Sequence, residues 1–170
     1  MRRRTFLTAV AAASALAVPE GRLAGASANP QDAGGPAARE YYELRRYELR
    51  SGPQGKLVND YFRDAFIPAA NRLGIKPVGV FDVQVGARTP ALYALLPSTS
   101  LQTLVGIEAR LAADAEYLPR AAAFREAPAG SPAYVRMESS LMVAFEGWPR
   151  LQVPPGAAEK RRRTFELRTY

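Results

Sequence analysis

The side chains able to carry chemistry in this sequence are those of tyrosine, aspartate, glutamate, lysine and arginine, because its 170 residues include no His and no Cys. Thiolate or imidazole metal sites, disulfides, cysteine nucleophiles and a Ser-His-Asp relay therefore cannot be built from it. Tyrosine and carboxylate groups with shifted pKa values can still move a proton, and both can hold a polar ligand. We expect no metal site and no cofactor.

Seven side chains on predicted strands are the candidates for such a role. Strand alternation puts Phe81, Val83 and Val85 on one side, which we assign to the helices, and the intervening residues on the other. The candidates on that other side are Arg45, Tyr47, Asp82, Gln84, Tyr93, Arg136 and Glu138. They either form a ligand site or pair with one another to satisfy a buried interface, and the frequency of structural ion pairs favours the second interpretation.

The elements that position these residues follow the order β-α-β-β-α-β. Apolar periodicity predicts strand 42–49, helix 56–73, a hairpin of strands 76–85 and 92–96, helix 101–124 and strand 135–145. Pro68 is expected to kink or split the first helix, and Pro119 to interrupt the second. This order predicts an α+β, ferredoxin-like fold, in which an antiparallel four-stranded sheet carries both helices on one face.

The other face of that sheet is expected to lack a helical cover. Val80 and Leu92 are predicted to lie there beside polar groups, and an exposed, partly apolar sheet face normally binds a partner. A second sheet packed face to face would bury it. We therefore expect a homodimer or a tandem-repeat partner.

The end of the sequence repeats its first strand. Phe165-Glu166-Leu167-Arg168-Thr169-Tyr170 matches Tyr42-Glu43-Leu44-Arg45-Arg46-Tyr47, with five of six positions identical or aromatic for aromatic. Residues 149–163 precede it and include three prolines, which indicates a linker. We interpret residues 164–170 as the first strand of a truncated second repeat.

The beginning of the sequence has the features of an export signal. The motif Arg3-Arg4-x-Phe6-Leu7 resembles the twin-arginine signal, whose receptor reads the arginine pair together with the Phe-Leu that follows. The uncharged run from Leu7 to Val18 is shorter than the about 20 apolar residues that a spanning helix needs. No membrane span is expected.

Processing of this signal is expected after Ala28, with Ala17 as the alternative site, and residues 29–40 are expected to form a flexible leader. The expected partner during export is the twin-arginine translocase, and the expected location is the periplasm or the exterior. Four arginines and one glutamate of the +7 chain lie within residues 1–28. Their removal lowers the positive charge, so no nucleic-acid partner is expected.

Several short motifs between residues 41 and 151 form a recognisable combination. They are Tyr42-Glu43-Leu44-Arg45-x-Tyr47, Ile67-Pro68-Ala69 with Leu73-Gly74, Gly79-Val80-Phe81-x-Val83-x-Val85-Gly86, Ser100-Leu101, Asp114-x-Glu116-Tyr117 and Ser140-Leu141-Met142. Together they resemble the NIPSNAP family of the dimeric α+β barrel superfamily. The resemblance implies a ferredoxin-like domain over residues 41–148 whose sheet faces a second one, in tandem or by dimerisation. It implies no defined reaction.

Two function hypotheses follow. The first is an exported NIPSNAP-type protein of undefined activity that associates through its sheet face and binds a small ligand. The second is implied by the superfamily and is a cofactor-independent oxygenase or cyclase. The absence of His weighs against a haem-degrading enzyme that needs a histidine ligand. A buried apolar pocket where Tyr and a carboxylate converge would favour the enzyme, and a packed barrel would favour the association module.

Overall fold

The computed structural model describes residues 38–50, 52–86, 89–157, 159 and 163–169. The expected export signal at Arg3, Arg4, Phe6 and Leu7, its cleavage sites and most of the leader lie outside the described residues. Within the described ranges, no helix has the length and apolar character needed to cross a membrane.

A four-stranded antiparallel sheet forms the centre of the described chain. Its strands are β1 (Tyr41–Glu48), β2 (Gly79–Asp82), β3 (Ala91–Ser98) and β4 (Arg136–Val143), arranged in the order β2-β3-β1-β4. β1 pairs with both β3 and β4, and β2 pairs with β3 as the predicted hairpin. The predicted order of elements, the α+β class and the ferredoxin-like arrangement of the sheet are confirmed.

The first helical region passes through its proline without breaking. It consists of α1 (Pro53–Tyr61), a π-helical turn (Phe62–Phe66) and α2 (Ile67–Arg72). Of the two expected effects of Pro68, a kink or a split of the helix, the split is wrong. Because a proline ring clashes with the carbonyl four residues earlier in an α-helix, the wider turn just before Pro68 accommodates the ring while the backbone stays helical.

The second helical region is divided into three short helices, α3 (Leu101–Val105), α4 (Ile107–Ala112) and α5 (Tyr117–Arg125). Before α5, the Asp114 carboxylate accepts hydrogen bonds from the backbone N–H groups of Glu116 and Tyr117, at 2.9 and 3.0 Å. Pro119 lies in the first turn of α5, where a backbone N–H has no helical partner to lose. The expectation that Pro119 interrupts the helix is therefore wrong, and the break lies at residues 113–116.

The apolar core lies between the helices and one face of the sheet. Its largest fully buried side chains are Val58, Phe62, Phe66, Ile75, Leu92, Leu96, Leu104, Ile107 and Leu111. The cover does not extend to β4, whose side chains Met137, Leu141 and Val143 are 41, 54 and 48% exposed. The edge strand β4 is therefore accessible on both of its faces.

Candidate functional site

The face of the sheet opposite the helices, called the open face here, is defined by strand register. Leu44 lies opposite Leu95 and Ser140, and Arg46 lies opposite Tyr93 and Glu138. By alternation, the open face comprises Tyr42, Leu44, Arg46 and Glu48 of β1, Gly79 and Phe81 of β2, Ala91, Tyr93, Leu95 and Pro97 of β3, and Arg136, Glu138, Ser140 and Met142 of β4. It combines apolar, aromatic and charged side chains.

A group of ion-paired residues occupies the middle of the open face. Arg46 is 9% exposed, and its Nη2 lies 2.7 Å from Glu138 Oε2 while its Nε donates a 3.1 Å hydrogen bond to the same oxygen. The hydrogen bond to Glu138 raises the pKa of Arg46. Glu138 Oε1 is 3.1 Å from Arg136 Nε, and Glu48 Oε2 is 3.7 Å from Arg46 Nη1. Among the residues that the structure describes, this group comprises the cations Arg46 and Arg136 and the anions Glu48 and Glu138.

An aromatic contact lies on the β2 side of the open face. The rings of Phe81 and Phe165 meet edge to face, with centroids 5.2 Å apart and an interplanar angle of 71°. Phe165 belongs to the repeat that follows the expected linker. The predicted orientation of Phe81 toward the helices is therefore wrong.

The orientation of β2 is the reverse of the prediction throughout. Val80 packs against the core, and the Asn59 amide of α1 donates a 3.5 Å hydrogen bond to Asp82 Oδ1. Leu92, also expected on the open face, is fully buried beneath the helices. Because β2 ends at Asp82, it has only four residues and both of its sides carry apolar side chains, so alternation does not distinguish them. Gln84 lies beyond the strand end and is exposed.

Arg45 and Tyr47 also lie on the helix-covered face rather than on the open face. Arg45 donates to Glu43 through Nε at 2.8 Å and through Nη2 at 3.0 Å, and its Nη1 is 2.7 Å from Glu108 Oε1. Its guanidinium lies over the Phe66 ring at 5.2 Å. The expected outward orientation is wrong because this ion pair allows an arginine to be buried at a core position.

The electrostatics of this buried group favour a structural role. Burial lowers the pKa of Arg45, but its hydrogen bonds to the Glu43 carboxylate, together with the charges of Tyr47, Glu43 and Glu108, outweigh burial, so the net pKa is raised. Burial raises the pKa of Tyr47 to about 12, although the neighbouring Arg45 acts in the opposite direction. A tyrosine that holds its proton this firmly is a poor general base near neutral pH.

The structure therefore brings together three of the seven predicted candidates, Tyr93, Arg136 and Glu138, on the open face. Arg45 and Tyr47 are together on the other face, and Asp82 and Gln84 join neither group. The residue that sequence reasoning missed is Arg46. The sequence pattern that could have identified Arg46 is the apolar pair Tyr47 and Leu49. This pair marks the core side of β1 and leaves Arg46 on the opposite side.

Other features of the described chain do not form a second site. A surface groove beside α2 is lined by Ile67, Asn71, Lys76, Pro77 and Val78, and it includes none of the predicted candidates. Among the described residues, no group of three or more carboxylates is placed to hold a metal ion. The arrangement on the open face is suited to pairing and binding, whereas Glu43 and Tyr47 on the other face of β1 are buried.

The fold and this site define an α+β module with one helix-covered and one open sheet face. The NIPSNAP family model matches residues 42–146, so the chain belongs to the NIPSNAP family. No curated protein matches the chain.

Two solved structures of NIPSNAP proteins share the fold. A NIPSNAP family protein with unknown function from Agrobacterium tumefaciens has a TM-score of 0.51 and 20% identity, covering 64% of this chain and 90% of that one. A NIPSNAP-like domain protein from Burkholderia xenovorans has a TM-score of 0.53 and 19% identity, covering 69 and 97%. The cofactor-independent oxygenase SnoaB from Streptomyces nogalater has a TM-score of 0.42 and 19% identity, covering 69 and 99%, too distant for an inference about activity.

Proposed function

We propose that this chain is an exported NIPSNAP domain protein that associates with a second copy through its open face and holds a small polar ligand there. The observation that carries the proposal is the ion-paired group in the middle of that face, with apolar side chains around it. An enzymatic role finds no comparable support, because Tyr47 and Glu43 are 3 and 7% exposed and Glu43 is engaged by Arg45 and Ser139.

The charges of the open face favour a second copy as its partner. A two-fold interface brings the same patch of both subunits together, so a patch that binds itself needs both signs of charge. Arg136 and Glu138 supply them, with side chains that are 68 and 38% exposed. Leu44, Leu95 and Phe81 add partly buried apolar surface whose further burial would favour association.

Association is tested by introducing a charge on either face of the sheet. We expect the wild-type chain to sediment as a dimer and Leu44→Asp to sediment as a monomer, because an unpaired charge in an interface is costly. Leu141→Asp is the matched control, since Leu141 is 54% exposed on the opposite face. It should remain dimeric. A wild-type chain that is a folded monomer at high concentration would contradict the proposal.

Ligand binding is proposed for the polar centre of the same face, where Tyr93 and Glu138 flank Arg46 on the neighbouring strands and Arg136 pairs with Glu138. Native mass spectrometry of the purified protein should show an excess mass over the polypeptide. Arg136→Ala should lose it, whereas Arg120→Ala, which removes an exposed arginine of α5, should retain it. A bare polypeptide mass in the wild type would count against the ligand and leave the association untouched.

Export is proposed from the arginine pair in the first 28 residues. Changing Arg3 and Arg4 together to Lys should leave the full-length precursor in the cytoplasm, because the receptor reads the pair itself. Cell fractionation with mass spectrometry of the N-terminus measures the outcome. Normal processing of the double variant would show that the signal is assigned wrongly.

A further inference from the structure

The C-terminal segment, residues 163–169, repeats one ion pair of β1 as well as its sequence. In β1, Glu43 and Arg45 form an ion pair between residues two apart, with Nε of Arg45 2.8 Å from Oε1 of Glu43. In the C-terminal segment, Arg168 Nη2 lies 2.8 Å from Glu166 Oε2 across the same spacing. In both segments the glutamate and the arginine two residues later therefore lie on the same side of the backbone.

The side of the C-terminal segment that touches the sheet is also the one expected from β1. Phe165 takes the place of Tyr42 in the repeat, and Tyr42 belongs to the open face. Phe165 contacts Phe81, which is an open-face residue of β2. Glu166 and Arg168 correspond to Glu43 and Arg45 of β1, which point away from the open face. The side chains of Glu166 and Arg168 are 69 and 64% exposed.

Two hydrogen bonds tether the chain that leads to this segment. The Glu40 backbone N–H donates to the Pro149 carbonyl at 2.8 Å, and the Leu151 backbone N–H donates to the Glu40 carboxylate at 2.8 Å. They hold residues 149–151 beside the start of β1. A segment tethered by a short connection has a high effective concentration at a surface it can reach.

We propose that the C-terminal segment occupies, on the open face of its own chain, the position that β1 of a second copy takes in the dimer. Its Phe165 contacts the open face in the way that Tyr42 of a second copy would. The segment therefore competes with dimerisation, and this part of the inference rests on the proposed function. Release of the segment is then required before two copies associate.

Occupancy of the open face is tested by cross-linking in the full chain, which has no native cysteine. Phe81→Cys and Phe165→Cys together, treated with a short bismaleimide, should give a cross-linked product of monomer mass. Phe81→Cys with Val153→Cys is the matched control and should cross-link much less. A product of dimer mass, or equal yields from the two pairs, would overturn the proposed intrachain position.

Competition is tested by the dimer dissociation constant of Phe165→Gln, with Val153→Gln as the control on the same tail. If the segment occupies the open face nine-tenths of the time, about one-tenth of the copies are free to associate, and a dimer needs two free copies. Phe165→Gln should therefore lower the dissociation constant by about a hundredfold. Val153→Gln should leave it unchanged. Sedimentation over a concentration series measures both.

The outcomes of these experiments separate the two proposals. A wild-type dimer whose dissociation constant is the same in Phe165→Gln overturns the competition and leaves association through the open face intact. If neither the wild type nor Phe165→Gln associates, both the proposed function and the competition are refuted. The monomer-mass cross-link still reports whether the segment lies on the open face.

Discussion

Removal of the Arg45 guanidinium is expected to destabilise the protein strongly, because Arg45 is buried in an ion pair on the helix-covered face of β1. Arg45 is 3% exposed and neutralises Glu43, which is itself 7% exposed. Arg45→Met keeps the length and apolar packing of the side chain but leaves the Glu43 carboxylate with the Ser139 hydroxyl, which donates at 2.7 Å, and without its cation. Breaking a buried pair in this way typically costs about 3–5 kcal/mol.

The expected loss of unfolding free energy comes from the Glu43 carboxylate, which is left buried without a cation. A second substitution removes this carboxylate. Glu43→Leu with Arg45→Met replaces the buried pair by apolar side chains, and such replacements are often neutral or stabilising. We expect the unfolding free energy of the double variant to lie within about 1 kcal/mol of the wild type. Glu108→Gln, at the exposed end of the network, should cost less than about 1 kcal/mol because its carboxylate is solvated.

Urea unfolding followed by far-UV circular dichroism measures these free energies, and a double-mutant cycle isolates the coupling between Glu43 and Arg45. The reasoning would be refuted by an Arg45→Met variant that loses less than about 1 kcal/mol. It would equally be refuted by a double variant whose loss equals the sum of the two single losses, since the two residues would then act independently.

Two further predictions concern the orientation of the strands and the pH dependence of stability. Leu92→Ala should lower the unfolding free energy by about 2–5 kcal/mol because Leu92 is fully buried, whereas Phe81→Ala should lower it by about 1 kcal/mol or less. Reversed values in urea unfolding would mean that β2 and β3 face the other way. Burial raises the pKa of Tyr47 to about 12 from 10.0, so between these pH values the unfolded chain loses a proton that the native state keeps. Tyr47 should contribute a fall of about 3 kcal/mol in the unfolding free energy over that range, in addition to the falls from Tyr61 and Tyr117, whose pKa values burial also raises. An unchanged slope in Tyr47→Phe would contradict this contribution.

The sequence was sufficient for the order of elements because that order depends on local patterns. Apolar residues at helical spacing, the turn at Gly52-Pro53 and the alternation of the last strand each depend on a few neighbouring residues. The family resemblance also depended on short motifs, and the family match over residues 42–146 agrees with it. Pro68 and Pro119 were misread because the effect of a proline depends on the turn in which it lies.

The orientation of β1 and β2 was decided by the tertiary structure. β1 has charged and apolar residues on both sides, and only the contact of Arg45 with Glu43, Glu108 and Phe66 makes one of those sides a core face. β2 is too short for its alternation to register a difference, so its pairing with β3 sets its faces. A sequence pattern records polarity along the chain, whereas burial of a charge depends on which opposite charge the fold brings within hydrogen-bonding distance.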